Sequence, residues 1–192
     1  MLGTGHRGGV EREAMLLSPD IRLAQWVLSA VGEPVTHLKL QKLCFYAYGH
    51  GLAEGHDDEL GEVRFEAWQH GPVCRRVYEA YQGHGRQPIP VPATDVIFSQ
   101  AATATLHDVL RVYGQLTAWE LREQSHLEAP WIQAQPNAEI PRAALAMHFR
   151  GPLTAPALLL SRGGASLDGI PSGDPITFST LREMAAEFGP PA

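Results

Sequence analysis

Apolar residues recur at helical spacing along most of the chain. Ser18-Pro19-Asp20 opens the first predicted helix, with Ser as cap, Pro at the first helical position and Asp at the positive end of the dipole. Ala24, Val27, Leu28 and Val31 form its stripe, and Gly32 and Pro34 close it. A second helix starts at Thr36, with Val35 and Leu40 as a hydrophobic staple and Leu40, Leu43, Cys44 and Ala47 inward. Gly49, Gly51 and Gly55 break the pattern, and 56–59 reads as a polar loop. Val63, Phe65 and Ala67 alternate with Arg64, Glu66 and Trp68, the chain's best strand signal. Gly71-Pro72 reads as the start of a third helix with Val73, Val77, Ala80 and Tyr81 inward, stopped by Gly83 and Gly85. The proline-rich stretch 88–92 is extended.

A fourth helix is predicted over 99–113, with Leu106, Val109, Leu110 and Tyr113 inward and Gly114 as its stop. Thr117-Ala118-Trp119-Glu120 is a capping box with Leu116 and Leu121 as staple. Pro130 keeps Ala129 out of helical geometry and starts a short helix. Ile140, Ala143, Ala144 and Met147 mark one more amphipathic helix. The pattern as a whole predicts a mainly α domain of about five to seven helices, with at most a small β element near 63–68.

The length of 192 residues allows one sizeable core. We divide it into a disordered lead, 1–17, a helical domain, 18–150, and a Gly/Pro/Ser-rich extension, 151–192. Met15 is a candidate start. Leu181, Met184, Ala185 and Phe188 repeat at helical spacing within the extension, either an apolar anchor for a partner or, as we expect, a stripe that packs back on its own domain. The formal charge of −6 excludes a generally basic surface, so nucleic acid is not an expected ligand. The 2 cysteines, Cys44 and Cys74, exclude a disulfide framework and a four-cysteine zinc site. No apolar run reaches the roughly 18 residues of a membrane span, and the start lacks the apolar core of a signal peptide. The expected location is cytoplasmic, away from membranes.

Candidate chemistry is sparse. The only lysines, Lys39 and Lys42, sit near the start of the second helix, where cations oppose the dipole. They read either as an anion contact or, as we expect, as an ordinary solvated face. Arg75 and Arg76 follow Gly71-Pro72, where an anion could sit, but Arg75 can pair with Glu79 four residues on. Nine histidines show neither a His-Glu-x-x-His run nor any Cys-x-x-Cys, so no metal or other cofactor is expected. His126 and Glu128 could act as an acid/base pair, with His70 as a third group, in a small hydrolase or metal enzyme. The simpler alternative has His126 bonding a carbonyl and Glu128 at the dipole of the next helix. Cys44 reads as a small buried hydrophobe. Cys74 lies near a helix start, where a thiolate is favoured, but no partner for it is placed. No Gly-x-Ser-x-Gly elbow is present, and no complete catalytic set emerges.

Three blocks resemble the Panacea domain, the SocA-like antitoxin family. The first is Lys39-Leu40-Gln41-Lys42-Leu43-Cys44-Phe45-Tyr46-Ala47. The second is Ala67-Trp68-Gln69-His70-Gly71-Pro72-Val73 with Val77-Tyr78. The third runs from Tyr113-Gly114 to Ser125-His126-Leu127-Glu128-Ala129-Pro130-Trp131, with Ser125 where threonine is common. The resemblance covers about 20–150. It implies a helical, non-catalytic protein-binding domain: an antitoxin that neutralises a cognate protein toxin, in some cases by delivering it to a protease, or a prophage-associated regulatory protein. On this reading Lys39, Lys42, Trp68, His70, Arg75, Arg76 and Phe188 are candidate partner contacts. Gly71, Pro72, Tyr78, His126, Glu128, Pro130 and Trp131 are the structural motif.

Overall fold

The computed structural model describes residues 17–93, 96–154 and 156. The chain divides into two units, 1–156 and 157–192, and every described residue lies in the first. The stripe of Leu181, Met184, Ala185 and Phe188 lies outside the described residues, as does the lead up to residue 16.

The described residues form eight α-helices and a three-stranded sheet. In chain order these are α1 (Pro19–Val31), α2 (His37–Ala53), α3 (Asp57–Leu60), β1 (Phe65–Trp68), β2 (Gly71–Val73), α4 (Arg75–Tyr81), α5 (Gln100–Tyr113), α6 (Ala118–Ser125), α7 (Ala129–Ile132), β3 (Glu139–Ile140) and α8 (Arg142–His148). A turn of 3-10 helix follows α4 at Gln82–His84. The described residues adopt the expected mainly α fold with a small sheet, with eight helices where about five to seven were expected.

Helix α2 is the axis. Every residue from Leu40 to Leu52 is buried, polar ones included, so the helix has no solvent face over that stretch. Helices α1, α5, α6 and α8 and strand β2 pack around it. Tyr46 stacks on Tyr113 of α5 with ring centroids 3.8 Å apart and planes 13° from parallel. Phe45 meets Phe65 of β1 and Phe149 edge-on, at 5.5 and 5.7 Å. The glycines expected to break α2 do not. A Cβ at Gly49 would overlap the Phe149 ring, so this glycine lets the ring press onto the helix backbone. The helix ends only at Glu54.

The sheet order is β2-β1-β3, antiparallel throughout, with Ala67 opposite Pro72 and Phe65 opposite Ile140. This corrects the helix predicted from Gly71-Pro72. Gly71 has φ +88, which helical geometry does not allow, and 71–73 pairs with β1 instead. Helix α4 therefore starts at Arg75 with Cys74 as cap, and of the predicted stripe Val77 is buried while Ala80 is exposed.

Other local signals resolve one by one. Thr117 and Glu120 form the full capping box, and Thr36 and Ser99 cap α2 and α5 through their hydroxyls. Ser18 stands at the cap position of α1, but its hydroxyl donates to Asp20 at 3.0 Å instead of accepting from the backbone. The polar stretch 56–59 contributes to a one-turn helix, because Leu60 is buried and Tyr48 Oη donates to the carbonyl of Gly61. Ala129 begins α7, with Glu128 as cap and Pro130 next, so the restriction before proline is overridden here. In α8 the phase differs from that expected: Leu145 points inward while Met147 is 73% exposed, because Ile140 belongs to β3 and not to the helix. Among the described residues no helix is long and apolar enough to cross a membrane.

Candidate functional site

The three sequence blocks converge around the β1–β2 turn. From α2, the side-chain amide of Gln41 grips one residue of the chain at both ends. Its Oε1 accepts from the amide N–H of Cys74 at 2.9 Å, and its Nε2 donates to the carbonyl of Cys74 at 3.2 Å. One residue on, Lys42 Nζ donates to the carbonyl of Pro72 at 2.8 Å. The free side of β2 is thus occupied by side chains of α2, which satisfies backbone groups that a short strand otherwise leaves open.

Lys42 is 0% exposed. The solvated face expected for the two lysines is therefore corrected, and Lys42 does not present itself to a partner. The physical reason is that α2 is buried on every side. Burial drives the Lys42 pKa well below its usual value, and the nearby Arg122 charge adds to this. Lys39 is half-buried and donates to the carbonyl of Gly114 at 3.0 Å, tying α2 to the end of α5.

The second block closes over this clamp. A Cβ at Gly71 would overlap Ser125 Oγ and lie 3.0 Å from Lys42 Nζ. Pro72 is buried. Trp68 and His70, offered above as partner contacts, are 6% and 8% exposed, so they too are mainly interior. Arg122 Nε donates to His70 Nδ1 at 3.2 Å. Trp68 Nε1 donates to Glu66, and its ring lies 5.2 Å from that of Tyr78. Arg75 forks onto both oxygens of Glu66 at 2.9 and 2.7 Å and lies 5.3 Å from the Trp68 ring centroid. This corrects the expected Arg75–Glu79 pair. The hairpin brings Glu66 beside the start of α4, and a bidentate fork is geometrically superior to an i,i+4 contact. Arg76 is exposed and 3.7 Å from Asp20.

The third block pins the turn from the other side. Trp131 Nε1 donates to the carbonyl of Trp68 at 3.0 Å. His126 Nε2 lies 3.1 Å from the carbonyl of Gln69, and its ring lies against Trp131 with centroids 4.1 Å apart. Trp131 is half-buried and Pro130 fully buried. Glu128 is 8% exposed and engages a different set: Tyr46 Oη at 3.2 Å, Gln124 Nε2 at 3.0 Å and His148 Nε2 at 2.6 Å. His126 and Glu128 therefore serve separate anchors, and Glu128 caps α7 by position but not with its side chain. Burial, with Arg122 nearby, lowers the His126 pKa. Cys74 is buried and its thiol is pushed up to about 11 by that burial, the opposite of an activated thiolate. Among the described residues no group of three or more His, Cys, Asp or Glu is placed to hold a metal.

Sequence reasoning missed the Gln41 clamp and the partners of Glu128. Gln41 lies inside the block quoted above, but its role depends on contacts 33 residues away. Tyr46, Gln124 and His148 come from three separate helices, and no spacing rule links them.

Two measurements check the electrostatics. Replacing Lys42 by Met removes a buried amine and one hydrogen bond, so the variant is expected to fold with stability within about 1 kcal/mol of the parent at pH 7. A folded pKa below the unfolded one means that Lys42 makes stability rise with pH up to roughly 10.4. Urea unfolding from pH 7 to 10 should show the parent gaining on the Lys42→Met variant as pH rises. A constant difference would contradict the buried amine. On the acid side, burial pulls His37 and His50 down to about 4, with Lys42 adding to the first and His148 to the second. Between pH 6.5 and 4 the unfolded chain binds more protons, so stability falls with falling pH by up to about 1.4 kcal/mol per pH unit for each. A His37→Gln, His50→Gln double variant should show a shallower decline over that window.

The geometry defines a helical domain whose polar motif residues tie the chain to itself across long sequence separations. Comparison with known proteins shows what part of it is similar to. Residues 40–132 match the family described as Antitoxin SocA-like, Panacea domain. The chain is also similar to the protein named Antitoxin SocA of Caulobacter vibrioides (strain NA1000 / CB15N), 29% identical over 116 residues, covering 54% of this chain and 61% of that protein. The chain thus spans about three fifths of that relative's length. No solved structure matches. Residues 40–132, just under half of the chain, are thus similar to the SocA-like Panacea domain family.

Proposed function

We propose that the chain is the antitoxin of a toxin–antitoxin pair, a binding protein that neutralises a cognate protein toxin by covering its active surface. The observation that carries this reading is the family match, which spans the second and third blocks and all of the first but Lys39. The similarity to Antitoxin SocA supports it. The arrangement of the polar motif residues agrees with a scaffold for binding: Gln41, Lys42, His126, Glu128 and Trp131 each hold a backbone or side-chain partner within the domain. We assign the chain no catalytic step and no cofactor. Handover of the captured toxin to a cellular protease is a further stage that occlusion does not require.

The test is co-expression. The reading frames adjacent to the one encoding this chain are expressed singly in a host cell, with and without the chain. The expected result is one product that arrests growth alone and is harmless, and co-purifies, when the chain is present. Growth arrest that the chain does not relieve, or no toxic neighbour at all, would contradict the proposal.

A further inference from the structure

Helix α8 is lightly held. Leu145 is its one buried residue, where α5 buries five. It follows β3 through Pro141, and its far end is fastened to α2 by the next residue, Phe149. The Phe149 ring is 6% exposed and seats on Gly49, where a Cβ would overlap it. Phe45 and Tyr46 meet the ring edge-on, and the imidazoles of His50 and His148 each lie with centroids 4.7 Å from it. A helix with so little buried apolar surface belongs to the low-stability end of a domain's local openings.

His50 is the weak point of this fastening. It is 8% exposed, and its Nε2 is buried with no hydrogen-bond partner among the described residues. In the neutral ring that costs one unmade bond. In the imidazolium both nitrogens are donors, so Nε2 becomes a charged donor buried without an acceptor. The surroundings do not compensate. Tyr113 of α5 lies 5.9 Å away between ring centroids. Tyr46, one turn back on α2, is committed to Glu128, and Glu128 also takes up Gln124 and His148. Glu54, one turn on, is exposed and bonds the His50 carbonyl through its amide. Leu60 of α3 and Leu106 of α5, which pack on the neighbouring Gly51, are apolar. His148 of α8, whenever it carries its own proton, opposes one on His50. Protonated His50 is thus relieved only by water, and Phe149 is what stands in the way.

We propose that His50 makes α8 an acid-released latch: a proton on the His50 ring frees Phe149 and swings α8 off α2, hinged at Pro141, while the rest of the described core stays folded. The latch operates whether or not the chain binds a toxin. Closed, burial and the neighbouring His148 hold the His50 pKa at about 4; released into water, the ring returns to about 6.5. The open form binds more protons between these values, so the closed form is fully favoured above pH 6.5 and loses ground as pH falls. Hydrogen exchange of the full chain, followed amide by amide by NMR, reads this. Protection of 145–149 should be lower than that of α5 at each pH and insensitive to about 1 M urea, because a local opening exposes little surface. It should be about 30-fold smaller at pH 4.5 than at pH 6.5. His50→Gln should cut that pH dependence at least about tenfold, and His50→Asn takes its place if the Gln variant does not fold. In the parent the His50 ring should titrate well below its ordinary value. Exchange of 145–149 that matches α5 in rate and urea dependence, a pH effect that survives in a folded His50 variant, or a parent His50 ring titrating near 6.5 would each overturn the latch.

Discussion

Replacing Glu128 by Ala is expected to destabilise the domain by about 3–5 kcal/mol, with a fall in Tm of roughly 10 °C. Three donors converge on this carboxyl from three helices, and the two buried ones, Tyr46 and Gln124, have no water as an easy substitute. Truncation leaves Tyr46 Oη, buried and stacked on Tyr113, without its acceptor. It also opens space beneath α7 and unties α8 from α2. Glu128→Gln keeps the shape and one good acceptor, so it should cost markedly less, about 1–2 kcal/mol. Urea unfolding of the two variants beside the parent gives both numbers. A loss under about 1 kcal/mol for the alanine variant would mean that the network is incidental to the fold.

Gly71→Ala is expected to be the other damaging single change, at about 3 kcal/mol. Two costs combine. The backbone at φ +88 disfavours any side chain, and the new methyl would overlap Ser125 Oγ while pressing on Lys42 Nζ at 3.0 Å. Neither neighbour has room to retreat, since both are 0% exposed. The variant should lower the urea midpoint strongly, and its Lys42→Met, Gly71→Ala combination should recover little, because Met is no shorter than the lysine stem. A Gly71→Ala protein as stable as the parent would contradict the described close approach.

Much of the helical framework was legible in the sequence, and for local reasons. The capping box at Thr117–Glu120, the cap at Thr36 and the stripe of α5 are short-range signals, and each is realised. The failures came where tertiary contacts outvoted local preference. Gly-Pro at 71–72 is an ordinary helix opening, but pairing with β1 and the grip of Gln41 and Lys42 make it a strand. Gly49 is an ordinary helix breaker, but the Phe149 ring needs its missing side chain. Lys42 is an ordinary surface residue by type, and only the complete enclosure of α2 shows otherwise. At the candidate site, the blocks that carry the family resemblance were visible, with Gly71, His126, Glu128 and Trp131 among them. What they touch was less so: His126, Trp131 and Glu128 reach Gln69, Trp68 and Tyr46, which lie 57 to 82 positions away.

In the proposed antitoxin role this chain is a stoichiometric binder. The most direct test titrates the purified toxin with the purified full chain, following complex formation by calorimetry and the toxin's covalent mass by mass spectrometry. Saturation at a fixed whole-number ratio, with toxicity lost in proportion and the toxin's mass unchanged, is the predicted result. Toxin inactivated by far less than an equivalent of the chain, with an altered mass, would show catalysis and contradict the account.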